Sequence, residues 1–471
     1  MKKYFSAFCI AGTQSGSGKT TATIAILGAL ARRGLNVAPF KCGPDYIDPS
    51  YHRQAADVES VNLDTWMMSP DGVRKSFARN TSGTDVAIVE GVMGLYDGAT
   101  ASSLEGSTAD CAEKLGIPVV LLVNAKGIAG SISAIVAGFK NFSRNIRICG
   151  VIANNVGSVS HSNLLKEALE VNGLPPLIGS LPHNEDWNLS ERHLGLTPFC
   201  ENKKNSEWFN SLADAAEEHI ELGRLLEITR TKRPTHLQQS FPAPSSRIAI
   251  ARDEAFNFYY PDNIHHLRMA GFELMEFSPM KDKNIPEKAD FIYLGGGFPE
   301  MFAEQLAENC EIRSSIKDFA KSGGMIYAEC GGMMYLCRKL RNSQNKEFPM
   351  CGVLPASTFL TNKLCSLGYR EAEVLHNLPF CKAGLILRGH EFHWSDFTPD
   401  EPLAPLYRAR NSKGESFDSG VVLGSVTASY IHLHFGSNTE AIKPISKIFG
   451  INGHQKHSDC SGSCNHVYRC V

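Results

Sequence analysis

The 471-residue sequence has no excess of charge of either sign: 47 lysines and arginines stand against 49 aspartates and glutamates. Such balance offers no broad basic surface to nucleic acid or anionic lipid. No uninterrupted apolar run reaches the roughly 18 residues of a membrane-spanning helix. The first residues run straight into a strand pattern with no small-residue cleavage site, so no secretory leader is expected and the cytoplasm is the expected compartment. Paired cysteine spacings are also scarce. Most of the 14 cysteines stand singly in apolar segments such as Phe8-Cys9-Ile10 and Ile148-Cys149-Gly150, a pattern of reduced, buried thiols. Only the last twenty residues depart from it, crowding His454, His457, Cys460, Cys464, His466 and Cys470 among Gly and Ser. Their spacing matches no standard zinc finger; a disordered tail is the leading expectation and a soft-metal site the alternative.

The length suggests two or three domains. The richest stretch is Ala11-Gly12-Thr13-Gln14-Ser15-Gly16-Ser17-Gly18-Lys19-Thr20, between the apolar run Phe5 to Ile10 and an Ala-rich helical run to Ala31. A strand that breaks into glycines and reopens as a helix turns backbone N–H groups and a helix N-terminus toward an anion. In this phosphate-loop reading Gly12, Thr13, Gly16 and Gly18 shape the cradle, Lys19 reaches the β and γ phosphates of ATP, and the Thr20 hydroxyl joins the coordination of Mg²⁺. Thr13 stands where the first glycine of the common form is usual.

A second strand, Asn36 to Phe40, leads into Lys41-Cys42-Gly43-Pro44-Asp45-Tyr46-Ile47-Asp48-Pro49. Pro and Gly fix a structured loop there. In an open α/β sheet, ligands bind at the carboxyl ends of strands, so Asp45 and Asp48 should face the phosphate crevice, Asp45 as a candidate Mg²⁺ ligand and Asp48 toward the substrate or behind the ligands. Asp85 to Val89 is an apolar strand ending in Glu90 and glycines. That placement suits Glu90 as a Mg²⁺ ligand or a partner behind one, with Asp97 assisting. Further strands at Pro118 to Asn124 and Ile146 to Asn154 complete a parallel sheet covered on both faces.

From Thr229 to Ser246 the chain is polar, carries Pro234, Pro242 and Pro244, and reads as a linker. The expected organisation is a nucleotide domain over 1–228, a linker over 229–246, a second α/β domain over 247–450 and the tail over 451–471. Within the second domain, a strand from Ala289 to Leu294 ends in Gly295-Gly296-Gly297. Another, Met325 to Ala328, ends in Glu329-Cys330-Gly331-Gly332 ahead of a helical Met333 to Leu340. A strand, a cysteine flanked by small residues and a helix form a nucleophile elbow, expected to expose the sulfur and lower its pKa. Backbone N–H groups of Gly296 and Gly297 could face a developing oxyanion. The base would come from Tyr430-Ile431-His432-Leu433-His434, whose two histidines share a face if the segment is a strand.

These motifs carry a resemblance. Gly12 to Thr20, Lys41, Val89-Glu90-Gly91 and Ala153-Asn154-Asn155-Val156 resemble dethiobiotin synthetase, which implies that Asn154 contacts adenine while Lys41 and Glu90 serve phosphates and metal. Gly43-Pro44-Asp45-Tyr46-Ile47-Asp48-Pro49 and Glu90-Gly91-Val92-Met93-Gly94-Leu95-Tyr96-Asp97-Gly98 resemble the cobyrinate a,c-diamide synthase family. The nickel-sirohydrochlorin a,c-diamide synthases share much of this pattern. The second domain resembles class I glutamine amidotransferases, and matching Tyr-Ile-His selects His432. Many such enzymes have a Glu two residues later; His434 stands there, so a Cys330–His432 pair is expected rather than a triad. The resemblance implies two doubly wound α/β domains in a carbon–nitrogen ligase that takes ATP, L-glutamine and a corrinoid carboxylate. Hydrogenobyrinate or a nickel tetrapyrrole are alternative acceptors, and a homodimer is the assembly considered. A partitioning or scaffold ATPase is the rival from another class, although such proteins usually place a lysine where this chain has Gln14.

Overall fold

The computed structural model of the chain describes residues 4–189, 199, 204–236, 239–438 and 440–449. The Cys/His-rich tail at 451–471, with its candidate metal site, lies outside the described residues. In the first half, β1 (Tyr4–Gly12), β2 (Val37–Cys42), β3 (Val61–Leu63), β4 (Val86–Gly94), β5 (Val119–Asn124), β6 (Ile148–Val156) and β7 (Leu177–Pro182) take the order β3-β2-β4-β1-β5-β6-β7. Every pairing along this path is parallel. Helices cover both faces, which is why β1, β2 and β5 read as near-continuous apolar runs. Phe8, Ile10, Val120, Leu122 and Ile152 are fully buried, each worth about 1.5–3 kcal/mol of transfer free energy. Strand order changes direction beside β1, and the glycine loop after it leads into α1 (Lys19–Arg32). The loop after β2 leads into α2 (Ile47–Ala56) at the same end of the sheet.

The segment read as a linker begins with regular structure. Arg230–Lys232 forms β8, antiparallel to Tyr4–Ser6, and Arg233 donates to the carbonyls of Thr81 and Thr84. A polar three-residue strand has no periodicity to betray it; the start of β1, not covered by β5, supplies its partner.

The second half opens with β9 (Ser246–Ala251), β10 (Phe272–Phe277), β11 (Phe291–Leu294) and β12 (Met325–Glu329), parallel in the order β10-β9-β11-β12. Val426–Ser429 pairs parallel to β12, and Val421–Leu423 closes the edge antiparallel. The helix after Cys330 spans Gly331–Leu336 and stops short of Leu340, because Lys339–Arg341 turns into a strand pairing with Glu347–Pro349. Two smaller sheets go beyond the sequence expectation. One has four short strands between Lys339 and Pro399, and the other is a five-stranded antiparallel sheet that includes Ser366–Val374, Ile386–His393 and His432–Leu433.

The two halves are in contact. Tyr46, on the loop after β2, stacks between Phe258 and Tyr260 with ring centroids 4.7 and 4.5 Å away. Trp66 stacks on Tyr369 at 4.4 Å, and the Tyr369 hydroxyl donates to Asp64 Oδ2 at 2.7 Å. Arg388 Nη1 donates to the Trp66 carbonyl at 2.9 Å, and Arg79 pairs with Asp262.

Candidate active sites

The phosphate loop is built on close approaches. A Cβ on Gly12 would lie 2.2 Å from Ser17 Oγ, and one on Gly18 would lie 2.2 Å from Asn154 Nδ2. Gly18 (φ 96°) and Gly16 (φ 72°) also take the left-handed conformation that glycine allows without strain. Thr13 follows the last residue of β1 and keeps a bond to the neighbouring strand, its N–H donating to the Leu122 carbonyl at 3.2 Å. Lys19 is buried and arches over the loop, Nζ donating to the Gln14 carbonyl at 3.4 Å. Burial and then neighbouring Lys41 lower its pKa, so it has strong electrostatic reason to take an anionic partner. Asn154, expected at adenine, donates from Nδ2 to the Ser17 carbonyl at 3.0 Å and so braces the cradle.

Behind the loop lies a buried ionic cluster. Thr20 Oγ1 donates to Glu90 Oε1 at 2.7 Å, and Lys41 Nζ donates to the same oxygen at 2.9 Å. Lys41 also pairs with Asp48 Oδ2 at 2.5 Å and donates to the Gly91 carbonyl at 3.0 Å. His52 Nε2 lies 2.6 Å from Glu90 Oε2, and its Nδ1 lies 2.9 Å from Ser60 Oγ. Burial opposes charge throughout, but for Lys41 and Glu90 the partners decide the outcome. Asp48 and Glu90 hold the Lys41 ammonium well above its ordinary range, while Lys41 and His52 hold Glu90 well below its own. Asp48 is pushed up by burial and then by Asp45. Lys41 and Glu90 form a buried ion pair behind the phosphate loop. Glu90 thus stands behind Thr20 with both oxygens engaged. Asp45 Oδ1 accepts from the N–H groups of Ile47 and Asp48, and Asp97 Oδ2 accepts from Gly94 N–H; both shape their turns.

The second centre is the elbow. Cys330 follows β12 at φ 45° and ψ −105°, a conformation rare outside glycine. Its N–H donates to the Ser429 carbonyl at 2.7 Å, and its carbonyl accepts from Met334 N–H at 3.0 Å. Such strain persists only where surroundings over-determine it. Gly332 meets that demand: a Cβ there would lie 2.3 Å from the Leu294 carbonyl. Contrary to the sequence expectation, the sulfur is enclosed, with the residue only 7% exposed, and its pKa is raised. Burial and then Glu300 push the thiol up, outweighing the helix N-terminal Gly331 N–H that draws it down.

The loop Gly295 to Gly297 joins cysteine and histidine. A Cβ on Gly296 would lie 2.2 Å from His432 Cε1; the nitrogen of Gly297 sits 3.1 Å from where a Cβ on Gly331 would stand. Gly297 takes φ 153°, and a Cβ there would lie 2.0 Å from the Ala255 carbonyl. The loop therefore touches both sides of the candidate thiol centre. His432 is buried, and burial, with His390 and His393, lowers its pKa to about 3. It rests neutral, as a base must. His434 does not continue its strand: the pairing ends at Leu433, and His434 Nδ1 accepts from Gly436 N–H at 3.1 Å while its ring packs on Tyr260 at 5.1 Å.

Four groups escape the motif reading. His52, three residues beyond the string that contains Asp45 and Asp48, closes the ionic cluster. Tyr46 lies 5.2 Å from the His432 ring, centroid to centroid, so one loop carries Asp48 toward the phosphate centre and Tyr46 toward the thiol centre. Glu329 precedes Cys330, with Oε2 3.9 Å from His432 Nδ1. His390 pairs in register with His432, and Glu391 beside it joins Arg370 at 2.7 Å and His393 at 3.1 Å. The signal for this last group is Gly389-His390-Glu391-Phe392-His393, three titratable side chains within five residues.

Comparison with known proteins agrees with this two-centre layout. Residues 8–196 match the CobQ/CobB/MinD/ParA nucleotide binding domain, and residues 247–440 match the CobB/CobQ-like glutamine amidotransferase domain. The cobyrinate a,c-diamide synthase of Syntrophotalea carbinolica is 42% identical over 444 residues, covering 92% of this chain and 96% of that one. The synthase of Priestia megaterium is 39% identical, covering 92% and 95%, and that of Dehalococcoides mccartyi is 41% identical, covering 94% and 98%. With both domains matched in order and the similarity running through nearly the whole length, the chain belongs to the cobyrinate a,c-diamide synthase family.

Proposed function

We propose that the protein uses ATP and glutamine to amidate the a and c side-chain carboxylates of cobyrinate, in cobalamin biosynthesis. The observation that carries this is a phosphate-loop centre and a cysteine elbow in one chain, joined by the loop that bears Asp48 and Tyr46. A carboxylate resists ammonia because its leaving group would be oxide, so phosphoryl transfer from ATP first makes an acyl phosphate. Lys19 and the loop N–H groups offset charge on the transferring group. The donor set suits Mg²⁺: Thr20 offers a hard oxygen, and Glu90 accepts its hydrogen bond and orients it. No three-ligand cage of His, Cys, Asp or Glu occurs among the described residues, as fits an ion that keeps waters and takes phosphate oxygens. When bound, Mg²⁺ would supply charge neutralisation at the phosphates.

At the other centre, His432 takes the proton of Cys330, and the sulfur attacks the glutamine side-chain carbonyl. The N–H groups of Gly296 and Gly297 are the proposed donors to the oxyanion. Ammonia leaves with the proton from His432, and water clears the glutamyl thioester. Ammonia then displaces phosphate from the acyl phosphate. The domain limits 1–228 and 247–450, the cytoplasmic location and a homodimer are proposals too; sedimentation velocity tests the last. Among the described residues, no helix is long and apolar enough to cross a membrane.

Incubation with MgATP, glutamine and a panel of cobyrinate, hydrogenobyrinate and nickel-sirohydrochlorin, read by mass spectrometry, tests the acceptor. Two successive amide substitutions on cobyrinate are expected. Turnover of the nickel macrocycle alone would move the assignment to the sister activity. ATP hydrolysis needing neither glutamine nor acceptor would favour a partitioning-type ATPase.

A further inference from the structure

Glu329 is a buried acid with no lysine or arginine partner among the described residues. Its Oε1 accepts from the Tyr327 hydroxyl at 2.7 Å and from Leu433 N–H at 3.1 Å, and its Oε2 accepts from the Tyr293 hydroxyl at 2.9 Å. Among the described residues, no lysine or arginine pairs with it; its one ionisable cationic neighbour is His432, 3.9 Å away. His432 Nδ1 is itself buried without a hydrogen-bond partner among the described residues. A buried carboxylate is costly unless a charge answers it, and a buried ring nitrogen is costly without an acceptor. Both costs would be relieved at once when His432 accepts the thiol proton at Nε2 and an imidazolium forms with Nδ1–H toward Glu329.

We propose that Glu329 is the positioning acid of the thiol centre, holding the strand that bears His432 and stabilising its imidazolium while itself remaining unprotonated. This rests on the amidotransferase reading above. The chain thereby supplies from the residue before the nucleophile the carboxylate that His434 cannot supply. Charge would separate only within the step: the proton moves from Cys330 Sγ to His432 and then to the departing ammonia. The hydroxyl ring around the acid fixes its orientation. Tyr293 comes from β11 and Tyr327 from β12 itself, with Tyr259, Tyr260, Tyr46 and Tyr407 in the surrounding field. Facing His432 from the neighbouring strand are His390, Glu391 and His393. Burial pushes Glu329 up to about 7, against the pull of Tyr327, Leu433 N–H and Tyr293.

The test is glutamine hydrolysis by the full chain as a function of pH. Wild-type activity should rise with pH through an inflection near neutrality as Glu329 ionises. Glu329→Gln keeps a hydrogen-bond acceptor and removes the charge; kcat should fall about 100-fold with KM for glutamine within about twofold. The inflection should vanish. Tyr327→Phe removes a donor that favours the ionised acid, so the inflection should move to higher pH; this second variant keeps the idea testable should the first fail to fold. A merely structural tie would lower stability but leave the inflection in place. Normal kcat and an unchanged profile in Glu329→Gln would overturn the inference, as would an unmoved inflection in Tyr327→Phe. Failure of the underlying reading looks different: Cys330→Ala would then hydrolyse glutamine as wild type does.

Discussion

Gly296→Ala should disable the thiol centre while sparing the phosphate centre. A Cβ at position 296 would lie 2.2 Å from His432 Cε1 and 3.2 Å from both ring nitrogens. Ordinary carbon–carbon contact begins near 3.5 Å, so ring or loop must retreat by more than about 1 Å. The ring has little room, because its strand is pinned by Leu433 N–H on Glu329 and by Asn263 Nδ2 donating to the Leu433 carbonyl at 2.7 Å. Displacing a catalytic group by about 1 Å costs on the order of 100-fold in rate, equivalent to about 2.7 kcal/mol of barrier. The assay compares glutamine-dependent with ammonium-dependent amidation. The first should fall about 100-fold and the second stay within about twofold. A variant whose glutamine-dependent rate stays within about threefold of wild type would refute the packing argument and the place given to His432.

Lys41→Met should abolish ATP-dependent amidation and lower stability by about 3–5 kcal/mol, because Asp48 and Glu90 would be left buried against each other; calorimetric melting checks it. Tyr46→Ala should uncouple the centres, with glutamate released in excess of amide formed, measured as the ratio of the two products; a ratio unchanged from wild type would count against the loop as the link. Acid should destabilise the protein through its buried histidines. Burial holds His390 and His434 near 4, below the ordinary value near 6.5 of the unfolded chain. The unfolded state therefore binds more protons between these values, and stability present above pH 6.5 is lost as pH falls toward 4. The shift is worth up to about 3 kcal/mol per histidine, so the melting temperature of His434→Gln should decline less steeply over that window than that of wild type.

Much of this was legible because phosphate loops and elbows write their geometry as glycines. Gly12, Gly18 and Gly332 each fill a place where a Cβ would strike another atom within 2.3 Å, and sequence exposes such places directly. Strands buried on both faces were equally clear, since Phe5 to Ile10 and Val119 to Val123 permit little else. The smaller sheets between 339 and 433 were not, because their strands are half-buried and held by cross-strand partners outside any local window, as Arg370 is by Glu391. The enclosed state of Cys330 depends on segments distant in sequence, such as Gly297 and Pro299 packed against the following Gly331, which no local pattern reports. Glu329 was in plain view beside the cysteine, but its relation to His432 depends on β12 lying beside the 426–433 segment, a tertiary fact.

The proposed mechanism couples ATP-driven activation to nitrogen released by the chain's own cysteine. Glutamine labelled with ¹⁵N at the side-chain amide, supplied with MgATP and cobyrinate in the presence of unlabelled ammonium, tests it by the mass of the product. Wild type should deliver label into both new amides, Cys330→Ala should form only unlabelled amides, and Lys19→Ala should form none. Labelled product from Cys330→Ala, or amidation of any kind by Lys19→Ala, would contradict the account.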